Sequence, residues 1–322
     1  MSRSAKIFVA VFLISLPFWV GINLAEKELS NLFFWSHIAN NPEVFSAQAL
    51  QEKIFEMLPM QKAGTEDITI EGDGVITLFG NEEGNVKVLF GQNENQPLPI
   101  ASLTKLMTAL VAVKHFNLEE NIRITSQAIR EEGTSGFLRV GDIFTVRELL
   151  APLLIESSND AAAALAQSIG RKAFIELMNL EAEQLNLADT YFVNPTGLDP
   201  DNPGGPLNYA SPADLALLLQ YIVTDYPQIS EVLAIQQADL YTQEGIFHHT
   251  MKSTNALLSY IGWPTTILGG KTGWTPLAQE SLALVLKGPK EKGHVIHIVL
   301  GSSDRFGETK KLADWIYKSF NW

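Results

Sequence analysis

The sequence predicts an α+β domain in which strands at both ends surround an inserted block of helices. Alternating apolar residues, the pattern of half-buried strands, run from Val75 to Phe79 and from Val86 to Phe90, and strand patterns return beyond about Ile235. The stretch between them is dominated by apolar residues at helical spacing and by helix start signals. Strands grouped in this way favour an α+β fold over alternating βαβ units.

Composition narrows the class of protein. The 322 residues are enough for a large hydrophobic core, in one large domain or two of ordinary size. The chain has no cysteine, which excludes disulfides, a thiolate nucleophile and cysteine-ligated metals. Its formal net charge of −13 repels phosphate backbones and anionic lipids, so we predict no nucleic-acid partner and no charge-driven binding to membrane surfaces.

The N-terminal segment differs in kind from the rest of the chain. Arg3 and Lys6 precede an uncharged apolar run from Ile7 to Ala25, which as a helix spans about 28 Å, close to the hydrocarbon thickness of a bilayer. This run is longer than the apolar region of most cleaved signal peptides, and Asn23 departs from the small residues that a signal peptidase prefers. A retained transmembrane signal anchor over 7–25 is therefore favoured over a cleaved signal. Residues 1–6 are then cytoplasmic, and the rest of the chain lies on the extracytoplasmic side of the cell membrane after a single pass.

The segment after this anchor is predicted to be a stalk, followed by the folded domain. Residues 26–65 carry an aromatic cluster, Phe33-Phe34-Trp35, and then a mixed helical pattern, which is typical of a juxtamembrane segment. The domain is predicted over residues 66–322. Its first two strands flank Asn81-Glu-Glu-Gly84, which predicts a β-hairpin.

Helix start signals mark the middle of the domain. An amphipathic helix is predicted from Ser102 to His115, because its apolar residues recur at helical spacing. Thr145 and Glu148 form a capping box that predicts the start of a second helix. Ser211, followed by Pro212, marks the start of a third.

The C-terminal part is predicted to contain a hairpin and a closing helix. Strands are predicted from Leu282 to Leu286 and from Val295 to Leu300, on either side of the turn Gly288-Pro-Lys-Glu-Lys-Gly293. The last helix is predicted from about Glu308 to Phe320.

Three short motifs stand in order along the domain: Ser102-Leu-Thr-Lys105, Ser157-Ser-Asn159 and Lys271-Thr-Gly273. Each alone is weak, since a Ser-x-x-Lys or a Ser-x-Asn occurs about once by chance in a chain of this size, and Ser253-Thr-Asn255 supplies a second Ser-x-Asn. The first motif lies at a predicted helix start, the second on a turn between two helices, and the third leads into a strand. This context indicates one catalytic site.

Ser102 and Lys105 have the spacing of a nucleophile and its base. A serine hydroxyl attacks at neutral pH only if a base takes its proton, and a lysine three residues on in a helix lies one turn away on the same face. Lys105 must be neutral to act in this way. Burial and the second cation, Lys271, would both lower its pKa toward the working range. At a helix N-terminus Ser102 also offers its backbone N–H to a developing oxyanion.

Other kinds of site are disfavoured. A Ser-His-Asp hydrolase typically carries Gly-x-Ser-x-Gly, which is absent. The histidines include His248-His249 and His294-x-x-His297 but no His-Glu-x-x-His, so they are interpreted as surface or hydrogen-bonded side chains, the latter pair on opposite faces of a strand. The alanine run 161–164 indicates plain helix packing. We predict no metal and no cofactor.

Residues 66 to 320 resemble the low-molecular-mass penicillin-binding proteins, specifically the D-alanyl-D-alanine carboxypeptidases. The motifs stand in family order within PIASLTKLMTAL, LLIESSNDAAAALA, FVNPTGLD, LGGKTGWT and GSSDRFGETKKLADW. The resemblance implies a five-stranded antiparallel sheet with helices on both faces and a mostly helical subdomain, with the active site between them. It also implies a serine peptidase that trims peptidoglycan stem peptides ending in D-Ala-D-Ala through an acyl-enzyme and is acylated by β-lactams.

The resemblance assigns catalytic roles to the first two motifs. Ser102 is implied to be the acylated nucleophile and Lys105 its general base. Ser157 and Asn159 are implied to relay protons and to hold the substrate amide.

The resemblance also assigns the substrate-binding residues. Lys271 and Thr272 are implied to bind the terminal carboxylate of the substrate, and Gly273 completes their motif. The backbone N–H of Trp274 corresponds to the second oxyanion donor. Arg305, about one turn before the predicted closing helix, is implied to face the same carboxylate, which suits a guanidinium fork.

Alternatives with the same fold stay open. A D,D-endopeptidase that cuts cross-links between stem peptides is one, because the sequence does not show whether the pocket beyond the scissile bond is closed. A serine β-lactamase of the commonest class adds a glutamate for the deacylating water, and the stretch from Phe192 to Leu198 contains no acid. A non-catalytic β-lactam-sensing or wall-binding protein can share the fold, but the intact Ser102, Lys105 and Lys271 argue against it. The chain stops straight after the closing helix, so we expect the N-terminal segment to replace the C-terminal anchor of many relatives.

Overall fold

The fold was taken from a computed structural model that describes residues 58–81, 84–130, 137–289 and 292–322. The predicted anchor, residues 7–25, and the stalk up to residue 57 lie outside the described residues. Among the residues it does describe, no helix is both long enough and apolar enough to cross a membrane. Residues from Leu58 to Trp322 form one compact unit.

The strands and helices alternate irregularly along this unit. The described strands are β1 (Met60–Gln61), β2 (Gly74–Gly80), β3 (Val86–Gln92), β4 (Leu98–Pro99), β5 (Asn121–Arg123), β6 (Ile143–Thr145), β7 (Tyr209–Ala210), β8 (Gln237–Tyr241), β9 (Phe247–Lys252), β10 (Ile267–Thr275), β11 (Gln279–Lys287), β12 (His294–Ser302) and β13 (Phe320–Asn321). The described α-helices are α1 (Thr104–His115), α2 (Val146–Leu154), α3 (Asn159–Ile169), α4 (Arg171–Gln184), α5 (Pro212–Asp225), α6 (Pro227–Leu233) and α7 (Arg305–Ser319).

A five-stranded antiparallel sheet lies at the centre, with the order β10-β11-β12-β2-β3. The N-terminal hairpin and the C-terminal strands therefore join side by side, because β2 pairs with β12. The rest of the chain between β3 and β10 forms the helical block and short two-stranded ladders. This topology leaves β10 at one edge of the sheet, beside the helical block.

Both faces of the sheet are buried, which explains why its inner strands are mostly apolar, with a few buried polar residues such as Thr77 and His297. Side chains alternate along a strand, so Ile76 and Leu78 of β2 pack into the core shared with the helical block, whereas Val75 and Phe79 pack into the core under α7. Each fully buried aliphatic side chain contributes about 1.5–3 kcal/mol relative to exposure. The helix α7 supplies Leu312, Ala313 and Ile316 to the second core.

The helix starts in the block follow their local capping chemistry. Both bonds of the capping box between Thr145 and Glu148 are present at the start of α2. At the start of α5 the Ser211 hydroxyl accepts a hydrogen bond from the Asp214 N–H at 3.1 Å. Each cap satisfies an N–H group that the helix leaves without a partner.

The predicted α+β class, the N-terminal hairpin and the two C-terminal strands are confirmed, but three boundaries differ. Ser102 lies in a 3-10 turn, Ala101–Leu103, just before α1. Helix α7 begins at Arg305, not near Glu308, because the Asp304 carboxylate accepts the Gly307 N–H at 2.8 Å and caps the helix early. The Lys271-Thr-Gly motif lies inside β10, not before a strand. The strand was not predicted to include the motif, because glycines interrupt the alternation of apolar residues that indicates a strand in a sequence.

Candidate active site

The first motif forms a tight turn that leads into α1. Ser102 sits in the 3-10 turn, preceded by Ala101 with a left-handed backbone (φ 45°). The Nζ of Lys105, in the first turn of α1, lies 2.8 Å from the Ser102 Oγ. The predicted contact between Lys105 and Ser102 is therefore present in the structure.

Lys105 is completely buried and its amine has three neighbours. Its Nζ lies 2.7 Å from the Asn159 Oδ1 and 2.8 Å from the Thr196 carbonyl, in addition to Ser102. Burial, assisted by the charge of Lys271, lowers the pKa of Lys105 well below its usual value. A neutral amine has two N–H donors, which the carbonyl oxygens of Asn159 and Thr196 take up. Its lone pair is then directed at the Ser102 hydroxyl, which is the arrangement of a base and a nucleophile.

The second motif occupies the turn between α2 and α3. Ser157 has a left-handed backbone with φ 65°, which is uncommon for a residue other than glycine and costs about 1–3 kcal/mol. The Ser158 hydroxyl caps α3 by accepting the Ala161 N–H at 3.1 Å. Asn159 begins the helix, and its side chain reaches Lys105. The turn thus aims Ser157 at the cleft while Asn159 joins the two motifs.

The third motif brings β10 against the 3-10 turn Ala101–Leu103, which carries Ser102 and is here named the nucleophile turn. The Lys271 Nζ donates to the Ser157 Oγ at 2.7 Å and to the Thr272 carbonyl at 2.9 Å. A Cβ at Gly273 would lie 3.3 Å from the Ser102 nitrogen, so glycine permits this close approach. The next residue, Trp274, has a side chain that is 60% exposed. Ser102 belongs to the nucleophile turn and Trp274 to β10. The close approach of these two segments brings the backbone N–H groups of both residues to the same end of the site.

Basic and hydroxyl side chains gather beside β10. The Arg305 guanidinium donates to the Gly273 carbonyl at 2.9 Å and lies 3.9 Å from the Glu280 carboxylate. The Thr272 hydroxyl lies 2.5 Å from that of Thr254. Burial, with the charge of Arg305, lowers the pKa of Lys271 to about 7. This end of the site is suited to an anionic group.

The loop from Phe192 to Leu198 fixes the back of the nucleophile turn. The Asn194 Oδ1 accepts the Gly197 N–H at 2.7 Å, and the Thr108 hydroxyl donates to the Pro195 carbonyl at 2.6 Å. Gly197 has φ +85°, and a Cβ there would overlap the carbonyl of Ala101. The loop therefore presents the Thr196 carbonyl to Lys105 and contributes no acid of its own.

These motifs line one open cleft of about 1230 Å³. Seven of the predicted site residues line it, namely Ser102, Ser157, Asn159, Thr272, Gly273, Trp274 and Arg305. Lys105 and Lys271 lie beneath its wall, 0% and 1% exposed. The structure thus brings the predicted residues together, with Lys271 reaching the cleft only through Ser157.

Sequence reasoning missed three contributors to this site. Thr196 acts through its backbone carbonyl, and Thr254 acts by contact with a residue of another strand, so neither has a local signal. Glu156 precedes Ser157 and also lines the cleft. Its partner, His249, lies 93 residues away at 3.0 Å, a separation that no local pattern reveals.

The remaining sequence features are structural. Ser253 and Asn255, the second Ser-x-Asn, accept backbone N–H groups, and Asn255 caps a 3-10 turn. His297 is buried and lies 2.9 Å from the Thr77 hydroxyl, while His294 contacts Gln220. Within the described part of the chain, no group of three His, Asp or Glu side chains is placed to hold a metal ion.

Comparisons with known proteins show which family the sequence matches. A family model of D-alanyl-D-alanine carboxypeptidases matches residues 69–304. The D-alanyl-D-alanine carboxypeptidase DacF of Bacillus subtilis is 29% identical over 249 residues, 74% of this chain and 61% of that protein. A D-alanyl-D-alanine endopeptidase of Pseudomonas aeruginosa is 30% identical over 267 residues, 80% of this chain and 81% of that protein. This chain thus spans less than two thirds of the B. subtilis relative.

Solved structures share the fold. A D-alanyl-D-alanine carboxypeptidase from Mycobacterium tuberculosis H37Rv superposes with a TM-score of 0.70 at 25% identity, covering 80% of this chain and 96% of that chain. The Streptomyces K15 DD-transpeptidase superposes with a TM-score of 0.69 at 28% identity, covering 79% of this chain and 100% of that chain. Since the family match spans most of the chain and the fold agrees, this protein belongs to the D-alanyl-D-alanine carboxypeptidase family of low-molecular-mass penicillin-binding proteins.

Proposed function

We propose that this chain is a serine D-alanyl-D-alanine carboxypeptidase that removes the terminal D-alanine of peptidoglycan stem peptides and that β-lactams acylate it. The observation that carries the proposal is the hydrogen bond between the Ser102 Oγ and the Nζ of the buried Lys105. Ser102 lines a cleft that ends at basic and hydroxyl side chains. The matched family and the relative named as a carboxypeptidase support the substrate class.

Acylation uses Ser102 and Lys105. The Ser102 Oγ attacks the carbonyl carbon of the penultimate D-alanine while Lys105 takes the hydroxyl proton. The N–H groups of Ser102 and Trp274 stabilise the resulting oxyanion, and one such donor contributes about 2.7–4 kcal/mol. When the intermediate collapses, its C–N bond breaks and the proton that Lys105 took passes to the leaving amine through the Ser157 hydroxyl, which Lys271 holds at 2.7 Å. Lys105 is then neutral again.

Deacylation repeats the chemistry with water. A water molecule attacks the ester carbon while neutral Lys105 takes its proton, the ester C–O bond breaks, and Lys105 gives that proton to the Ser102 oxygen. The product is a stem peptide one D-alanine shorter.

Recognition of the leaving residue depends on its carboxylate. The Thr272 hydroxyl and the Arg305 guanidinium line the cleft beside β10, where both donate hydrogen bonds to an anion. Lys271 assists by its charge and by holding Ser157, since its own Nζ is buried beneath the cleft wall. Thr272 and Arg305 thus contact the carboxylate directly, whereas Lys271 acts on it through its charge.

A D,D-endopeptidase is the second candidate. It is favoured by the Pseudomonas aeruginosa relative, which is named as an endopeptidase and of which this chain covers 81%. The cleft is also open, and it extends past Ser102 to residues 199–202, 205 and 206. Incubation with a cross-linked stem-peptide dimer discriminates: an endopeptidase yields two monomers, whereas a carboxypeptidase removes only free terminal D-alanine.

We also propose that residues 7–25 anchor the chain in the cell membrane with the catalytic domain on the extracytoplasmic side. The proposal is supported by the length of the apolar run and the basic residues before it. N-terminal sequencing of the membrane fraction tests it. A mature chain that begins near Glu26 and is released by high salt contradicts the anchor.

The activity is tested with the purified full-length chain and a stem pentapeptide ending in D-Ala-D-Ala. We expect release of one D-alanine per peptide, and none from Ser102→Ala. Tight penicillin binding without any release of D-alanine contradicts the carboxypeptidase and supports a β-lactam sensor. Rapid multiple turnover of penicillin instead supports a β-lactamase.

A further inference from the structure

Four titratable side chains form a continuous hydrogen-bonded row beside the cleft, which we name the proton chain: Glu156, His249, His248 and Asp142. The Glu156 carboxylate lies 3.0 Å from the His249 Nε2. The His249 Nδ1 lies 2.6 Å from the His248 Nδ1, and the His248 Nε2 lies 2.9 Å from the Asp142 carboxylate. The proposed chemistry uses none of these side chains.

A β-bulge brings the two histidines together. Adjacent side chains of a regular strand point to opposite faces. In the β8–β9 ladder, however, Leu240 pairs with His249 and Tyr241 pairs with Phe247, which leaves His248 as the extra residue. The bulge re-aims the side chain of His248 so that both imidazoles lie in one row, and bulges of this kind are frequent next to active sites.

The three contacts require one proton more than the isolated groups hold at neutral pH. Each of the hydrogen bonds needs one hydrogen, and two bare ring nitrogens cannot approach to 2.6 Å. Two neutral imidazoles supply one N–H each, and two carboxylates supply none. The observed geometry therefore belongs to the proton chain with a third proton, and loss of that proton sets two lone pairs against each other.

The proton chain ends at the turn that carries Ser157. Glu156 is the residue before Ser157, whose left-handed backbone needs support from its surroundings. The segment after β9 also holds this turn, because the Thr254 N–H donates to the Ile155 carbonyl at 3.2 Å. The His249 contact and the Thr254 contact thus fix the two residues ahead of Ser157.

We propose that Glu156 and His249 are positioning residues for Ser157, and that they hold its turn fully only while the proton chain carries its third proton. This inference rests on the proposed role of Ser157 in acylation. Its consequence is a fall in the acylation rate as the pH rises, and this fall is separate from the titration of Lys105 and Lys271.

The surroundings favour Glu156 as the site of the third proton. Burial raises the pKa of Glu156 against the opposing contact of His249, whereas burial lowers the pKa of His248 against the opposing contact of Asp142. A protonated Glu156 donates to the His249 Nε2, which leaves both imidazoles neutral.

Four cationic side chains belong to the surroundings of the proton chain. Arg139 lies next to Asp142, which accepts its N–H, and its charge lowers the pKa of His248. Arg130 and Arg171 line the same cleft as Glu156, and Lys271 lies behind Ser157. Of these cations, Arg139 opposes protonation of His248, which agrees with Glu156 as the site of the third proton.

The test compares penicillin acylation rates of the full-length chain across pH. Glu156→Gln keeps three hydrogens in the row at every pH, because its amide donates to His249. The ratio of its rate to the wild-type rate should be near one at low pH. Above the transition the ratio should rise by up to about tenfold per pH unit, since one proton is lost. Titrations common to both proteins cancel in this ratio.

His249→Asn removes the link to Glu156. It should slow acylation at low pH, where the wild type holds the turn, and approach the wild-type rate at high pH. His115→Asn, at a separate His–Glu contact with Glu181, is the matched control and should give a ratio independent of pH. Flat ratios for both proton-chain variants overturn the proposal.

A second readout does not depend on catalysis. In the 15N-histidine-labelled chain, wild-type His249 should carry its hydrogen on Nδ1 while Glu156 is protonated and on Nε2 once Glu156 has lost its proton, whereas in Glu156→Gln the hydrogen should stay on Nδ1. The same tautomer change in the two proteins contradicts the shared third proton. Failure of wild-type acylation at every pH contradicts the proposed function instead, so the two failures are distinguishable.

Discussion

The Lys271 Nζ lies 2.7 Å from the Ser157 Oγ, and the charge of the same lysine adds to burial in lowering the pKa of Lys105. One buried cation thus connects the two serines of the cleft. Its own pKa is lowered to about 7, by burial first and by Arg305 second. The removal of Lys271 should therefore change both the pH dependence of acylation and that of stability.

Lys271→Met should move the acidic limb of the acylation profile to higher pH. Without the neighbouring charge the pKa of Lys105 rises, so less of the neutral base is present at a given pH. Penicillin acylation rates measured from acid to alkaline pH check this. Lys172→Met, at a side chain that is 92% exposed, is the control. An acidic limb that stays in place while the rate falls uniformly contradicts the electrostatic role.

Lys271 should also make folding stability depend on pH. The pKa of this lysine is about 7 in the folded chain and 10.5 in the unfolded chain, so above about pH 7 the unfolded state holds one proton more. Stability rises with pH wherever the unfolded state binds more protons. The wild type should therefore gain about 1.4 kcal/mol per pH unit relative to Lys271→Met between about pH 7 and 10. Below about pH 7 the difference should be flat.

Denaturant unfolding of both chains at several pH values measures this difference. A stability difference that stays constant from pH 6 to 9.5 would show that Lys271 remains protonated in the folded protein, and the lowered pKa would be wrong.

Arg305→Ala should harm a substrate with a free terminal carboxylate much more than its amide. Amidation removes the negative charge and forfeits charge-assisted hydrogen bonds of about 1.5–3 kcal/mol each. The wild type should therefore cleave the amide about tenfold more slowly or worse, and the variant should treat the two substrates more alike. Arg147→Ala, at an exposed pair with Glu119, is the control. Equal slowing of both substrates by Arg305→Ala favours the endopeptidase.

Gly197→Ala should damage the nucleophile turn. Its φ of +85° strains any other residue, and the added Cβ overlaps the Ala101 carbonyl. Gly204→Ala is a matched control, because Gly204 has φ +79° and open space around its Cβ position. The backbone strain alone costs about 1 kcal/mol or more of stability in both variants. Any further loss of stability in Gly197→Ala therefore measures the overlap of its Cβ with the Ala101 carbonyl. Equal melting temperatures and equal acylation rates contradict the role of this contact.

The sequence allowed prediction of those features that depend on local chemistry. The spacing of Ser102 and Lys105 predicts their contact because three residues span one helical turn. The capping box at Thr145 and the cap at Ser211 predict their helices because the hydrogen bonds are local. The apolar alternation of β2 and β3 predicts their hairpin.

Features that depend on distant contacts were not predictable in this way. Gly269, Gly270 and Gly273 give β10 no alternation, and the strand forms because β11 pairs with it. Thr196 contributes a backbone carbonyl, which any residue carries. The left-handed backbone of Ser157 is fixed by its surroundings and has no sequence signature.

The central claim is that Ser102 is the nucleophile that β-lactams acylate. Of the described serines in the cleft, Ser102 lies 2.8 Å from the amine of a buried lysine with a strongly lowered pKa, whereas Ser157 contacts Lys271. The most direct measurement is the intact mass of the full-length chain after incubation with a penicillin, followed by peptide mapping. We expect one adduct, on Ser102, and none in Ser102→Ala. An adduct on Ser157 or Ser253, or no adduct at all, would contradict the assignment.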